Sequence, residues 1–446
     1  MRTGLKTLTK KITNRIIYPR FLYPSTAPNE FPNNQTFKLQ INARLFGVKN
    51  ELKNHNFAFN LGSLCTPPHP VATKVYQSFL KYNPNHLGNW SYKEPGQGTE
   101  RLEYEVIKKM IDLYHAPKEG IEGYVTSGGT EGNIYSLWLG RLCLEKLCTK
   151  GTICLLRTSL SHYSIRKAGN ICNIPQFLTP LNSQEWNIDA KSLSKKVKEL
   201  YKIGYRGFLL PLTVGYTTTG TQDNIQEITK IIKKLEKELK NTNFYIWIDA
   251  ALNGLIEPFI NESFQPFTSS LIQTLVVDFH KFGMVPYPAG IVLYRRNLRK
   301  AAEQDINYLE EKDSTLLGSR QGASAVAIWA MIHYLGRSGY RKMALEQLKN
   351  KNYFIKNIQD IFPKAEIISH RNSPSCGVIF HSLKNQKLPR ALEDKYWLYP
   401  GLMNLKFESN IKKRQIIYKF LFLPHLKKYI LKEFFFDLKK HYHFPN

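Results

Sequence analysis

The sequence predicts an α/β chain: a mostly parallel central sheet in a large domain, with helices on both of its faces, and a smaller C-terminal α+β domain. Two observations carry this. Between Gly151 and Arg295 short apolar runs alternate with helical stretches, the rhythm of strands joined by crossovers. Beyond about residue 360 the pattern changes to two strand-like runs and one closing helix.

The elements follow in order. The first fifty residues carry Arg2, Lys6, Lys10, Lys11, Arg15 and Arg20, with Glu30 the only acid before Glu51. They read as a basic arm that packs on the body of the protein or on a partner subunit. An organellar presequence and a membrane-surface helix are the alternatives, and membrane contact is not predicted. Arg101 to Tyr114 (RLEYEVIKKMIDLY) repeats apolar residues at three- and four-residue spacing and is expected to be an amphipathic helix. Thr152 to Leu156, Gly207 to Leu212, Phe244 to Ile248, Leu271 to Val277 and Gly290 to Tyr294 read as strands buried on both faces. Ile225 to Leu239 is a helix between two of them. Helical patterns resume over Gly322 to Leu335 and Gly339 to Phe362. Cys376 to His381 and Lys419 to Leu423 then read as strands, and Tyr429 to His441 as the closing helix. The expected domains are a basic arm over 1–57, a large domain over 58–345 and a small α+β domain over 346–446.

Composition narrows the function. A chain of 446 residues holds two or three domains at roughly 150 residues each. Hydrophobic residues make up 42%, which excludes a disordered chain. No apolar run reaches the roughly eighteen residues of a membrane span, and no apolar stretch follows the basic start as a secretory leader would require. The cysteines Cys65, Cys143, Cys148, Cys154, Cys172 and Cys376 form no C-x-x-C pair, so reduced thiols in a cytoplasmic protein and no metal site are expected. Lysine and arginine number 63 against 35 acids, a net charge of +28 that favours anionic ligands. With no helix-turn-helix, RNA-binding or zinc-finger pattern, nucleic acid is not an expected partner.

One constellation carries chemistry. The strand ending in Trp247-Ile248 runs into Asp249, and the strand ending in Val277 runs into Asp278-Phe279-His280-Lys281. Ligands of open parallel sheets bind outside the carboxyl ends of strands, so Asp249 and Lys281 are expected to face one crevice. A lysine there forms an imine with an aldehyde, and a buried carboxylate keeps a heteroaromatic nitrogen protonated; the pair marks pyridoxal phosphate enzymes. Upstream, Val125 to Asn133 (VTSGGTEGN) places glycines between an extended piece and a helix, where backbone N–H groups converge on a phosphate. His162 follows a strand and a short loop, where an imidazole can stack on an aromatic cofactor.

The ordered motifs TSGGTEGN, SHYSIRKAG, GYTTTGTQDN, DAALNG and DFHKFG resemble the group II pyridoxal phosphate-dependent amino-acid decarboxylases. The likeness covers roughly residues 58–345 and is looser beyond. Gly62 to Pro70 (GSLCTPPHP), Pro95 to Thr99 and Gly318 to Ser324 are similar to the archaeal tyrosine/aspartate branch. Tyr245 to Phe259 and Asn307 to Arg320 are similar to histidine and serine decarboxylases. The resemblance implies a fold type I transferase-like architecture with pyridoxal 5'-phosphate as cofactor. It implies that Lys281 holds the cofactor, Asp249 pairs with its ring nitrogen, Ala251 packs beneath the ring and His162 stacks on the other face. Ser127, Gly128, Gly129, Thr130 and His280 would bind the phosphate, and Thr217 the cofactor hydroxyl or substrate carboxylate. Tyr308, His162 and Lys281 are the implied proton donors. Two positions depart from the family pattern: Tyr216, where a threonine is usual, and Asp278. The implied reaction converts an L-amino acid to its amine and carbon dioxide. Histidine is slightly favoured as substrate, and tyrosine, aspartate and serine are also compatible. A carbon–carbon lyase of the sphingosine phosphate lyase type is the alternative. A homodimer with shared active sites is implied.

Overall fold

The computed structural model describes residues 38–54, 57–87, 97–149, 151–307, 311–408 and 412–442. Tyr308, Pro95, Gly96 and the basic start lie outside the described residues. The chain forms two compact units, Met1–Phe57 and Ala58–Asn446. In the first, the helix Lys38–Asn54 is described.

The second unit is built on a seven-stranded sheet. Its strands are β1 (Ile121–Thr126), β2 (Ile153–Arg157), β3 (Gln176–Leu178), β4 (Gly207–Thr213), β5 (Asn243–Asp249), β6 (Ile272–Asp278) and β7 (Gly290–Arg295). The spatial order is β1-β7-β6-β5-β4-β2-β3. The strands from β6 to β3 pair in parallel. The apolar runs become strands because successive side chains leave opposite faces and both faces are covered. Phe208, Leu210, Ile246, Ile248, Leu275 and Val277 enter one core, while Leu209, Tyr245, Trp247 and Val276 enter the other.

Strand β7 lies where the sequence places it but runs antiparallel to both neighbours, β1 and β6. The physical reason is length: the link 279–289 is shorter than the helical crossover that a parallel return requires. The helical patterns at 322–335 and 339–362 are two helices that run on through Gly322–Ile361 and meet at a break at Gly336, whose φ of 58° only glycine adopts at low cost.

The small antiparallel sheet has the order Glu366–Ile368, Ser375–Ile379, Lys412–Leu421, Gly401–Lys406. One face packs Val378, Tyr418 and Phe420 with Phe354 and with Phe434 of the closing helix Lys428–Tyr442. The other face sends Ile417 into a cluster with Tyr216. No helix among the described residues is long and apolar enough to cross a membrane.

Candidate active site

The strands β1, β4, β5 and β6 point the same way, so Thr126, Thr213, Asp249 and Asp278 end at one edge of the sheet. A cavity of about 310 Å³ opens there. It is lined by Ser127, Gly128, Gly129, Thr130, His162, Thr217, Asp249, Ala251, His280 and Lys281, so every described residue that the sequence assigned to the cofactor meets in one place.

Asp249 and Lys281 are both buried. The Asp249 carboxylate accepts from Asn133 Nδ2 at 2.9 Å and from the Ala251 N–H at 3.2 Å. Asn133 is itself held: its Oδ1 accepts from Trp247 Nε1 at 3.0 Å, and its Nδ2 also reaches Ser164 Oγ at 3.1 Å. Ser164 Oγ in turn lies 2.8 Å from His162 Nδ1. His162 caps the helix Tyr163–Ile171 through that nitrogen. Burial holds its imidazole below the ordinary range, Asp249 and Asp278 oppose this, and Lys281 and Lys419 reinforce it.

Lys281 Nζ sits 2.8 Å from Asp278 Oδ2. Asp278 also accepts from the Gly129 N–H, and His280 Nε2 lies 3.5 Å away. Burial would raise the Asp278 carboxyl, but Lys281, His280 and the Gly129 N–H outweigh it and hold it below the ordinary range. Asp278 therefore neutralises the lysine and ties the glycine loop to β6.

The loop differs from the expected cradle of free backbone donors. The Ser127 N–H donates to Glu131 and the Gly128 N–H to Thr126 Oγ1, while Gly129 is taken by Asp278. Among the described residues the buried His280 Nδ1 has no hydrogen-bond partner, and it faces this loop. Gly128 has φ +145°, and a Cβ there would meet His280 Cε1 at 2.7 Å. The glycine thus leaves room for an anion beside the imidazole and the Ser127 and Thr130 side chains.

Tyr216, the departure from the family pattern, is buried and turns its hydroxyl away from the cavity. It donates to Asp223 at 3.0 Å, and Thr158 Oγ1 lies 3.3 Å from it. The sequence reading also missed Asn133, Ser164, Tyr287 and Lys419. Asn133 and Ser164 stood in motifs already singled out; Tyr287 and Lys419 gave no local signal. Lys419 pairs in register with Gly377 and shares a strand face with Ile417. A Cβ at Gly377 would meet Ile417 at 3.0 Å and Thr218 O at 3.0 Å, so this face lies against the turn that carries Thr217. Lys419 has no ion-pair or hydrogen-bond partner among the described residues.

An open α/β sheet with a lysine and a carboxylate across a cavity at its strand ends defines a class: enzymes that hold a carbonyl cofactor through an amine. The comparisons are specific. Residues 89–384 match the model of the pyridoxal-dependent decarboxylase conserved domain, and the chain belongs to that family. It is a pyridoxal phosphate-dependent amino-acid decarboxylase of fold type I. It is 29% identical over 367 residues to the tryptophan decarboxylase of Clostridium sporogenes, covering 80% of this chain and 83% of that one. It is 29% identical over 392 residues to the L-aspartate/L-glutamate decarboxylase of Pyrococcus horikoshii, covering 85% and 91%. The fold matches the glutamate decarboxylase of Lactobacillus brevis with TM-score 0.78 at 17% identity, over 94% of this chain and 95% of that one. The residues present fit the cofactor: an amine, a carboxylate fixed by neutral donors, and an unpartnered imidazole nitrogen at a glycine loop.

Proposed function

We propose that this decarboxylase acts on an amino acid with an acidic side chain, aspartate or glutamate, and that Lys281, Asp249, His162 and His280 hold its cofactor. Lys281 would carry pyridoxal phosphate through Nζ, Asp249 would face the ring nitrogen, and Ala251 and His162 would bracket the ring. His280, Ser127 and Thr130 would meet the phosphate. Bound pyridoxal phosphate supplies an electron sink for the pair left behind when the α-carboxylate departs. The chain supplies the rest. Asn133 fixes Asp249, Asp278 pairs with the free Lys281 Nζ, and Lys281 Nζ or His162 Nε2 would return a proton to Cα. Tyr308 remains a proposed donor.

The observation that carries the substrate reading is Lys419, which has no ion-pair or hydrogen-bond partner among the described residues and, although burial lowers its amine, lies near enough to act on His162 and Lys281. A cation on the departing α-carboxylate would stabilise the ground state more than the transition state and slow the reaction. A cation on a second, retained carboxylate carries no such cost. This agrees with the name of the Pyrococcus relative. The lean toward histidine rests on the neighbourhoods of Asp249 and Asp313; Asp313 accepts from Thr315 N and Oγ1 in a local turn and Asp249 accepts from Asn133, so neither carboxylate is left open to an imidazole side chain. An aromatic amino acid is the second reading, favoured by Leu64 and Leu252 in the wall. The test is release of carbon dioxide and amine from each of the twenty amino acids, with Lys419→Met alongside. Aspartate or glutamate should be the best substrate. In the variant, KM for it should rise about tenfold or more, the value of one charge-assisted contact. Preference for an aromatic substrate, or an unchanged KM, would overturn the reading.

A further inference from the structure

The side chain of Tyr287 is 52% accessible, yet its ring lies on the buried His280 imidazole, with centroids 3.9 Å apart and planes inclined by 27°. Two contacts bound that imidazole: Tyr287 covers one face, and Asp278 Oδ2 lies 3.5 Å from Nε2. The backbone N–H of His280 separately donates to Ala289 O at 3.2 Å and holds the main chain. What remains is the Nδ1–Cε1 edge, which faces Gly128 and carries the unpartnered nitrogen. Tyr287 also lines the cavity and shares its wall with Leu64, Ser127 and Lys281. The ring therefore stands between solvent and the one imidazole nitrogen left open to an anion.

We propose that Tyr287 is a positioning residue for the cofactor: by stacking on His280 it aims Nδ1 at the phosphate and keeps water from competing for it. This rests on the assignment of His280 to the phosphate made above. The physical basis is ordinary. A stacked aromatic restricts the imidazole to one orientation, and its electron-rich face opposes the burial that lowers the ring's pKa and so supports the donating form that an anion requires. Excluding water strengthens a charge-assisted hydrogen bond to phosphate. The phenol hydroxyl plays no part, so phenylalanine should serve as well as tyrosine.

The test measures how fast holoenzyme loses cofactor on dilution, followed by the visible absorbance of the lysine-bound form. Stripped protein is then reloaded with pyridoxal phosphate or with pyridoxal, which lacks the phosphate. Tyr287→Leu should lose pyridoxal phosphate about tenfold faster, equivalent to about 1.4 kcal/mol, and Tyr287→Phe should stay within about twofold of wild type. Pyridoxal binding should be the same in all three proteins. In a His280→Ala background the leucine substitution should add nothing further, which is the signature of one residue acting through the other. Equal retention by Tyr287→Leu, an equal loss of pyridoxal, or a full effect without His280 would each overturn the inference. Failure of the underlying reading looks different: wild-type protein would lack the visible absorbance, or Lys281→Ala would keep it. That result overturns the assignment and this inference together.

Discussion

Asp249 and Asp278 end adjacent strands, both are buried, and both line one cavity, yet they are held in opposite ways. Asp249 is fixed by neutral donors, an amide side chain and a backbone N–H. Asp278 is paired with a lysine and has an imidazole close by. A carboxylate held by neutral donors keeps its full charge for an incoming cation. One paired with a lysine already uses its charge for positioning. Two identical side chains one strand apart are thus held in different ways, and only their neighbours decide how.

The comparison breaks most sharply at Asp249. Asp249→Asn keeps the shape and removes the charge, and kcat should fall by about 10² to 10³, the usual cost of losing preorganised charge stabilisation. Steady-state rates with unchanged circular dichroism would check it. A fall of less than about fivefold would remove Asp249 from the electrostatic role.

Asp278 sharpens the contrast through pH. Its carboxyl is held below the ordinary value of 3.8, so its contribution to stability is present above that pH and is lost as pH falls through the depressed value. Asp278→Asn should flatten the drop in Tm measured between pH 5 and 3. An identical acid limb in the variant would show that the pair with Lys281 contributes nothing to folding.

The smallest effect lies one step behind the cavity wall, with the opposite sign. Burial pushes Asp223 up to about 6, against backbone and Tyr216 hydrogen bonds that pull it down. Its contribution is complete below 3.8 and is lost as pH rises through about 6. The stability at stake across that window is at most about 3 kcal/mol. Asp223→Asn should remove part of the stability loss between pH 4.5 and 7.5 in urea titrations. A steeper loss in the variant would contradict it.

The sheet was legible wherever an apolar run had no interruption. Strand β1 escaped because Glu122 and Gly123 break its pattern (IEGYVT). In the fold, Glu122 is buried against Arg296 and Arg299, and a Cβ at Gly123 would strike Val292 O. Polar partners supplied from afar make a strand that no local rule detects. The same applies to the site. Asp249 and Lys281 follow their strands directly, so position alone flagged them. Lys419 and Tyr287 come near the site through residues distant in sequence or through a stack that spacing does not reveal. Direction also escaped, since β7 reads the same in either sense until the length of its connection is considered.

That connection has a further consequence. Asp278 pairs with Gly290 across the β6–β7 ladder, and Phe279, His280 and Val285 hydrogen-bond back into the same link. The lysine therefore rides on a strap buckled at both ends, with only its four-carbon stem free to swing. On the proposed role of Lys281, small molecules would come to an amine on an already ordered main chain, whose ordering entropy would not be lost again at each cycle.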